Sequence, residues 1–196
     1  EDFLRQLREL TRRYGVVLVL DEIQSGYGRT GKFFAHQWAG IKPDLITVAK
    51  GIANGFPFSG VLISPMFAAR KGMLGTTFGG NHLGCAAALA VLKIIREEKL
   101  IENALHTGAY LMQRLQELHS PLIKEIRGRG LMVGVELTVP VKEVREPLLF
   151  EERIFTGYSG LYTLRILPPL ILSTKEVDIF VGSLKKVLDG IRKKYL

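Results

Sequence analysis

Apolar positions set the first part of the chain. Phe3, Leu4, Leu7, Leu10 and Tyr14 recur at helical spacing and Gly15 follows, which predicts an amphipathic helix with a glycine stop. Residues 16–20 (VVLVL) then form a short, β-branched run suited to a strand buried on both faces. The rhythm repeats with a predicted helix over 32–38, a Lys42-Pro43-Asp44 turn, a strand over 45–49 (LITVA) and another over 60–64. Helices alternating with apolar strands predict an α/β fold with a parallel or mostly parallel sheet.

Beyond a glycine-rich stretch at 75–80 the pattern predicts an alanine-rich helix over 82–96 and an amphipathic helix over 101–119. The character then changes. Short strands are expected at 130–137 and 163–167, separated by the more polar stretch 138–152, with a closing amphipathic helix over 174–194. This second part reads as a smaller α+β unit, with the boundary placed near residue 98, between 1–98 and 99–196. No internal repeat or low-complexity segment is visible.

Composition narrows the classes. The 196 residues are 47% hydrophobic and 23% charged, which is globular, and the 21 glycines show no fibrous period, so they point to loops with demanding backbones. The single Cys85 has no internal partner and no charged-then-apolar leader opens the chain, so a cytoplasmic protein is expected. Apolar runs are short for a membrane span. The net charge of +8 would suit anionic partners, but the one basic cluster, residues 191–196 (IRKKYL), lacks interleaved aromatics and suits a helix C-terminus. Neither nucleic acid nor membrane is expected as a partner. His36, His106 and His119 have no metal-ligand spacing, so no metal site is expected.

Two motifs mislead. Residues 26–31 (GYGRTG) satisfy G-x-G-x-x-G, but residues 21–25 separate them from the strand and no acidic residue ends the next one, as a dinucleotide site requires. The same stretch nearly spells a phosphate loop, yet Phe33 stands where Ser or Thr would ligate magnesium.

A different constellation carries chemistry. Asp21 stands at the end of VVLVL and Lys50 at the end of LITVA, so neighbouring parallel strands would present both at their carboxyl ends, where open α/β sheets bind ligands. A lysine leaving an apolar strand into a glycine-containing loop is expected to be partly desolvated and hence a good amine nucleophile. Pyridoxal phosphate uses such an amine for a Schiff base and an acid to keep its ring nitrogen protonated. Taken singly, Lys50 would equally be a solvated strand-end lysine and Asp21 a cap.

Five ordered segments sharpen this reading: residues 20–37 (LDEIQSGYGRTGKFFAHQ), 43–57 (PDLITVAKGIANGFP), 75–90 (GTTFGGNHLGCAAALA), 126–137 (IRGRGLMVGVEL) and 164–170 (LRILPPL). Together they resemble the class III pyridoxal-phosphate aminotransferases, most closely those acting on acetylornithine or succinylornithine. The resemblance implies part of a fold-type I large domain followed by a small C-terminal domain, in a homodimer. It implies amino transfer from the acylated ornithine to 2-oxoglutarate in arginine biosynthesis; the alternatives are an ornithine, lysine or 4-aminobutyrate enzyme of the class, or a chain that in isolation is a noncatalytic fragment.

By the same resemblance, Lys50 is the Schiff-base lysine that also moves a proton, and Asp21 pairs with the pyridinium nitrogen. Ile23 packs on one ring face and Gln24 contacts the phenolic oxygen. Thr77 reaches the cofactor phosphate across the dimer interface, and Arg165 grips the substrate carboxylate through a planar fork. Members of the class are about twice this long, so the chain reads as a C-terminal portion. The loop holding most of the phosphate, the other ring wall and the acid facing the substrate arginine are expected in the portion it does not carry.

Overall fold

The computed structural model describes residues 1–68 and 70–195, which divide into two compact units, Glu1–Ile101 and Glu102–Leu196.

In the first unit, helix α1 (Asp2–Arg13) has an acid in its first turn and Arg12 and Arg13 in its last, complementing the helix dipole. Tyr14 caps it and Gly15, at φ +63°, turns the chain. Strands β1 (Val19–Asp21), β2 (Leu45–Val48) and β3 (Gly60–Ile63) form a sheet in that order. β1 and β2 run parallel, with Asp21 opposite Thr47, while β3 is antiparallel to β2.

Two expectations need correction here. The run 16–20 is not buried on both faces: Leu18 is 5% exposed, but Val16 is 55% exposed, and Val17 and Val19 are open as well. Among the described residues β1 has one hydrogen-bonded neighbour and stands at an edge of its sheet. Residues 32–38 do not form an α-helix either, but a 3-10 helix at Ala35–Ala39 ended by Gly40 in the left-handed region. Side-chain acceptors take the backbone donors that would begin a longer helix, since Phe34 N–H donates to Gln37 Oε1 at 3.0 Å and Ala35 N–H to Glu22 Oε2 at 3.0 Å.

Helix α2 (His82–Glu97) starts at Asn81, whose side chain accepts the Gly84 N–H at 2.7 Å. A Cβ at Gly84 would lie 2.3 Å from the Phe58 ring, so the glycine is what permits this close approach. Ala88 of α2 joins Val48, Ile52 and Ala53 in a small core under the loop that follows β2.

The second unit has its own, larger core. Helix α3 (Leu100–Gln116) leads into an antiparallel sheet ordered β4 (Ile123–Arg129), β5 (Met132–Leu137), β7 (Thr163–Ile166), β6 (Gly157–Ser159). Along β5 and β7 alternate residues are buried, as one face of the sheet meets helices. Helix α4 (Val141–Phe150) occupies the stretch expected to be a polar connection, burying Val141, Val144 and Leu148 at helical spacing. Its internal Pro147 and the charged Lys142, Glu143, Arg145 and Glu146 obscure that periodicity in the sequence. Helix α5 (Thr174–Tyr195) closes the unit, with Val177, Val181, Leu184 and Leu188 in the core.

Candidate active site

The parallel register of β1 and β2 sets Asp21 and Lys50 at the carboxyl ends of adjacent strands. Asp21 stands opposite Thr47, and Lys50 follows Thr47 by three positions, at the start of the 3-10 turn Lys50–Ile52. Lys50 holds φ +48°, and Asn54 and Gly55 downstream also lie at positive φ. A lysine in this region is a strained exception, and such strain gathers where the surrounding structure fixes a side chain for use.

Lys50 shares a cleft of about 520 Å³ with Arg29, Asn54, Phe56, Pro57 and Phe58. Burial lowers the Arg29 guanidinium below its ordinary value, and burial raises the Tyr27 phenol. Lys50 itself is exposed, so the desolvation expected from the apolar strand is not provided by the residues around it here.

Asp21 is exposed too, and its Oδ1 accepts the Ile23 N–H at 2.9 Å, a turn that sets the direction of the chain toward Gln24. Ile23 and Gln24 are partly buried in the loop that follows. The lining of the Lys50 cleft includes neither these three residues nor Thr77. Thr77 is exposed in the segment between β3 and α2. Arg165 lies in β7 of the second unit, between the buried Leu164 and Ile166.

The acid that organises the loop is Glu22, to which the sequence reading assigned no site role. It is 3% exposed. Its carboxylate accepts the N–H groups of Ala35 and His36 at 3.0 and 2.9 Å and the Ser25 hydroxyl, and it lies 3.0 Å from His36 Nδ1. Its own N–H donates to Thr47 O at 3.0 Å, which extends the β1–β2 ladder. The glycine-rich stretch is therefore a clamped loop: Tyr27, Gly28 and Gly31 lie at positive φ, and a Cβ at Gly26 would meet Glu22 O at 2.8 Å. The element that follows it directly is the 3-10 helix Ala35–Ala39, so neither phosphate motif has the α-helix N-terminus it needs.

Comparison with known proteins decides the family. The aminotransferase class-III family model matches residues 1–188. The chain belongs to that family. Among relatives of this class-III chain, the acetylornithine aminotransferase 1 of Bordetella bronchiseptica is 44% identical over 198 residues, covering 99% of the chain and 49% of the relative. The ornithine aminotransferase of Brevibacillus brevis is 41% identical over 191 residues, covering 96% and 48%. Among solved structures, an ornithine aminotransferase from Toxoplasma gondii superposes with a TM-score of 0.91 at 30% identity, covering 98% of this chain and 47% of that one. The ornithine δ-aminotransferase of Plasmodium falciparum gives 0.88 at 33%, covering 96% and 50%. The chain spans about half the length of the relatives it matches.

Class-III aminotransferases are pyridoxal-phosphate enzymes, and the donor set here suits that cofactor. A primary amine and a carboxylate stand at one edge of a parallel strand pair, and Gln24 adds an amide on the loop that leaves it. As an α/β chain matching class-III folds, it corresponds to the C-terminal part of the longer relatives.

Proposed function

We propose that the chain is the catalytic-lysine half of an aminotransferase that moves an amino group from N-acetylornithine or N-succinylornithine to 2-oxoglutarate, in arginine biosynthesis. The observation that carries this reading is the placement of Lys50 and Asp21 at the carboxyl ends of neighbouring parallel strands. The 44% identity to an acetylornithine aminotransferase supports the acylated substrate.

In this reading residues 1–98 belong to the cofactor-binding large domain and 99–196 to the small C-terminal domain. When bound, pyridoxal phosphate supplies a ring that withdraws electrons from the substrate α-carbon. Lys50 Nζ holds the cofactor and takes and returns the proton at that carbon. Asp21 keeps the ring nitrogen protonated, Ile23 packs on the ring and Gln24 donates to the phenolic oxygen. Arg165 binds the substrate carboxylate, and Thr77 serves the phosphate of a second subunit in a cytoplasmic homodimer.

Incubation with pyridoxal phosphate followed by borohydride reduction tests the core of this reading. The expected result is a pyridoxyl adduct on Lys50 by peptide mass spectrometry, absent from K50A. Adducts spread evenly over the other lysines, with Lys50 unmodified, would overturn it. Free ornithine as the amino donor is the second reading, favoured by the 41% identity to an ornithine aminotransferase. Steady-state assays of the full-length protein with N-acetylornithine, N-succinylornithine and ornithine separate the two.

A further inference from the structure

Glu22 stands in the chain between Asp21 and the pair Ile23 and Gln24, and its own carboxylate is buried. Both carboxylate oxygens are committed. Oε1 accepts the His36 N–H at 2.9 Å and lies 3.0 Å from His36 Nδ1, while Oε2 accepts the Ala35 N–H at 3.0 Å and the Ser25 hydroxyl. The His36 ring stacks on Phe34 with centroids 5.6 Å apart, which holds that side of the cluster in place. Each oxygen thus takes one backbone N–H, a task for a group with acceptors at both ends and no donor. A glutamine here would set its NH2 against the Ala35 or the His36 N–H, whichever way the amide turned.

The main chain of Glu22 is bound as well. Its N–H donates to Thr47 O at 3.0 Å, and its carbonyl accepts the Gly26 N–H at 2.9 Å. Gln24 therefore lies inside a closed turn, with Glu22 and Gly26 joined at its ends and its neighbour Ser25 donating a hydroxyl to the Glu22 carboxylate. The Asp21 carboxylate is tied separately, to the Ile23 N–H.

We propose that Glu22 is the positioning residue for Gln24. Its carboxylate, acting through Ser25 and the turn over 22–26, holds the Gln24 amide in the direction of the cofactor's phenolic oxygen. This rests on the assignment of Gln24 to that oxygen and adds the residue that fixes its aim. Without the carboxylate the Ser25 hydroxyl and the Ala35 and His36 amides lose their acceptor, the turn gains conformations, and the cost of ordering it moves to the binding step.

Equilibrium dialysis of the full-length protein against pyridoxamine phosphate tests the proposal, because that probe carries the phenolic oxygen and forms no bond to Lys50. Affinities are compared at a temperature where circular dichroism shows each variant folded. Q24A is expected to weaken binding about tenfold and E22Q about fivefold. In the Q24A background E22Q should change the affinity by about twofold at most, a coupling that a general loss of stability does not produce. S25A, a milder cut in the same link, should weaken binding about threefold in the parent and leave Q24A unchanged, so the test stands even where E22Q does not fold. Losses from E22Q or S25A that persist undiminished in Q24A overturn the proposal and leave the Gln24 assignment standing. Q24A binding like the parent overturns both, and the Lys50 adduct is independent of either.

Discussion

Arg8 and Asp44, 36 positions apart, meet through two hydrogen bonds of 2.7 and 3.0 Å, and Asp44 Oδ2 also accepts the Leu18 N–H at 2.8 Å. One buried carboxylate thus ties α1 to the beginning of β2 and to the residue that leads into β1. Its backbone adds to the knot, since Asp44 N–H donates to Leu18 O and Asp44 O accepts from Ser64 N–H, each at 2.9 Å.

This pair predicts how the first unit responds to acid. The Arg8 hydrogen bonds, and then the Leu18 N–H, hold the Asp44 carboxyl below its ordinary value. A carboxyl depressed on folding contributes stability that is fully present above its unfolded value, about 3.9, and is lost as pH falls through the folded value. D44N should therefore be less stable than the parent at neutral pH, and the gap should close in acid. R8A, which strands the buried carboxylate, should cost about 3 kcal/mol at neutral pH. Urea unfolding monitored by circular dichroism at several pH values reads both; a gap that grows as pH falls would contradict the account.

Glu22 should matter more to folding than Asp21 does. E22A removes the acceptor for two backbone N–H groups and one hydroxyl, so a loss of about 3 kcal/mol is expected. Hydrogen exchange locates the effect: the Ala35 and His36 amides should lose protection first. D21A, at an exposed carboxylate, should leave those amides protected. Equal loss in both variants would show that the loop is held in some other way.

Glycine-to-alanine changes in two helices should have opposite signs. A Cβ at Gly108 in α3 would lie 2.3 Å from the backbone of Gly130, whereas one at Gly182 in α5 meets nothing within 4 Å. An alanine in an open helix position stabilises by about 1 kcal/mol. G182A should therefore raise the melting temperature, while G108A should lower it by forcing α3 off the β4–β5 turn. Melting curves of the two single variants decide the matter.

Much of the architecture was legible because some elements carry their own signal. α1, α2, α3 and α5 each hold a periodic apolar stripe between recognisable ends, and β5 and β7 alternate cleanly. β4 and β6 were overlooked for a physical reason: β4 carries IKEIRGR, and β6 is three residues long, so both depend on pairing with a neighbour for their strand character. α4 hid behind Pro147. The span 32–38 lost its predicted helix to Glu22, an acceptor 13 and 14 positions upstream of the amides it binds.

The same division runs through the site. Sequence alone determined the chemical identities of an amine after one apolar strand and a carboxylate after another, together with the order of motifs that marks the family. Only the tertiary structure decided which of two adjacent acids, Asp21 or Glu22, faces solvent and which is buried, because successive residues of an extended chain point to opposite sides and the sheet's neighbours choose between them. It alone left Lys50 exposed and turned its backbone to φ +48°. Burial and hydrogen bonding at these positions depend on residues far away in the chain, and local pattern carries no record of them.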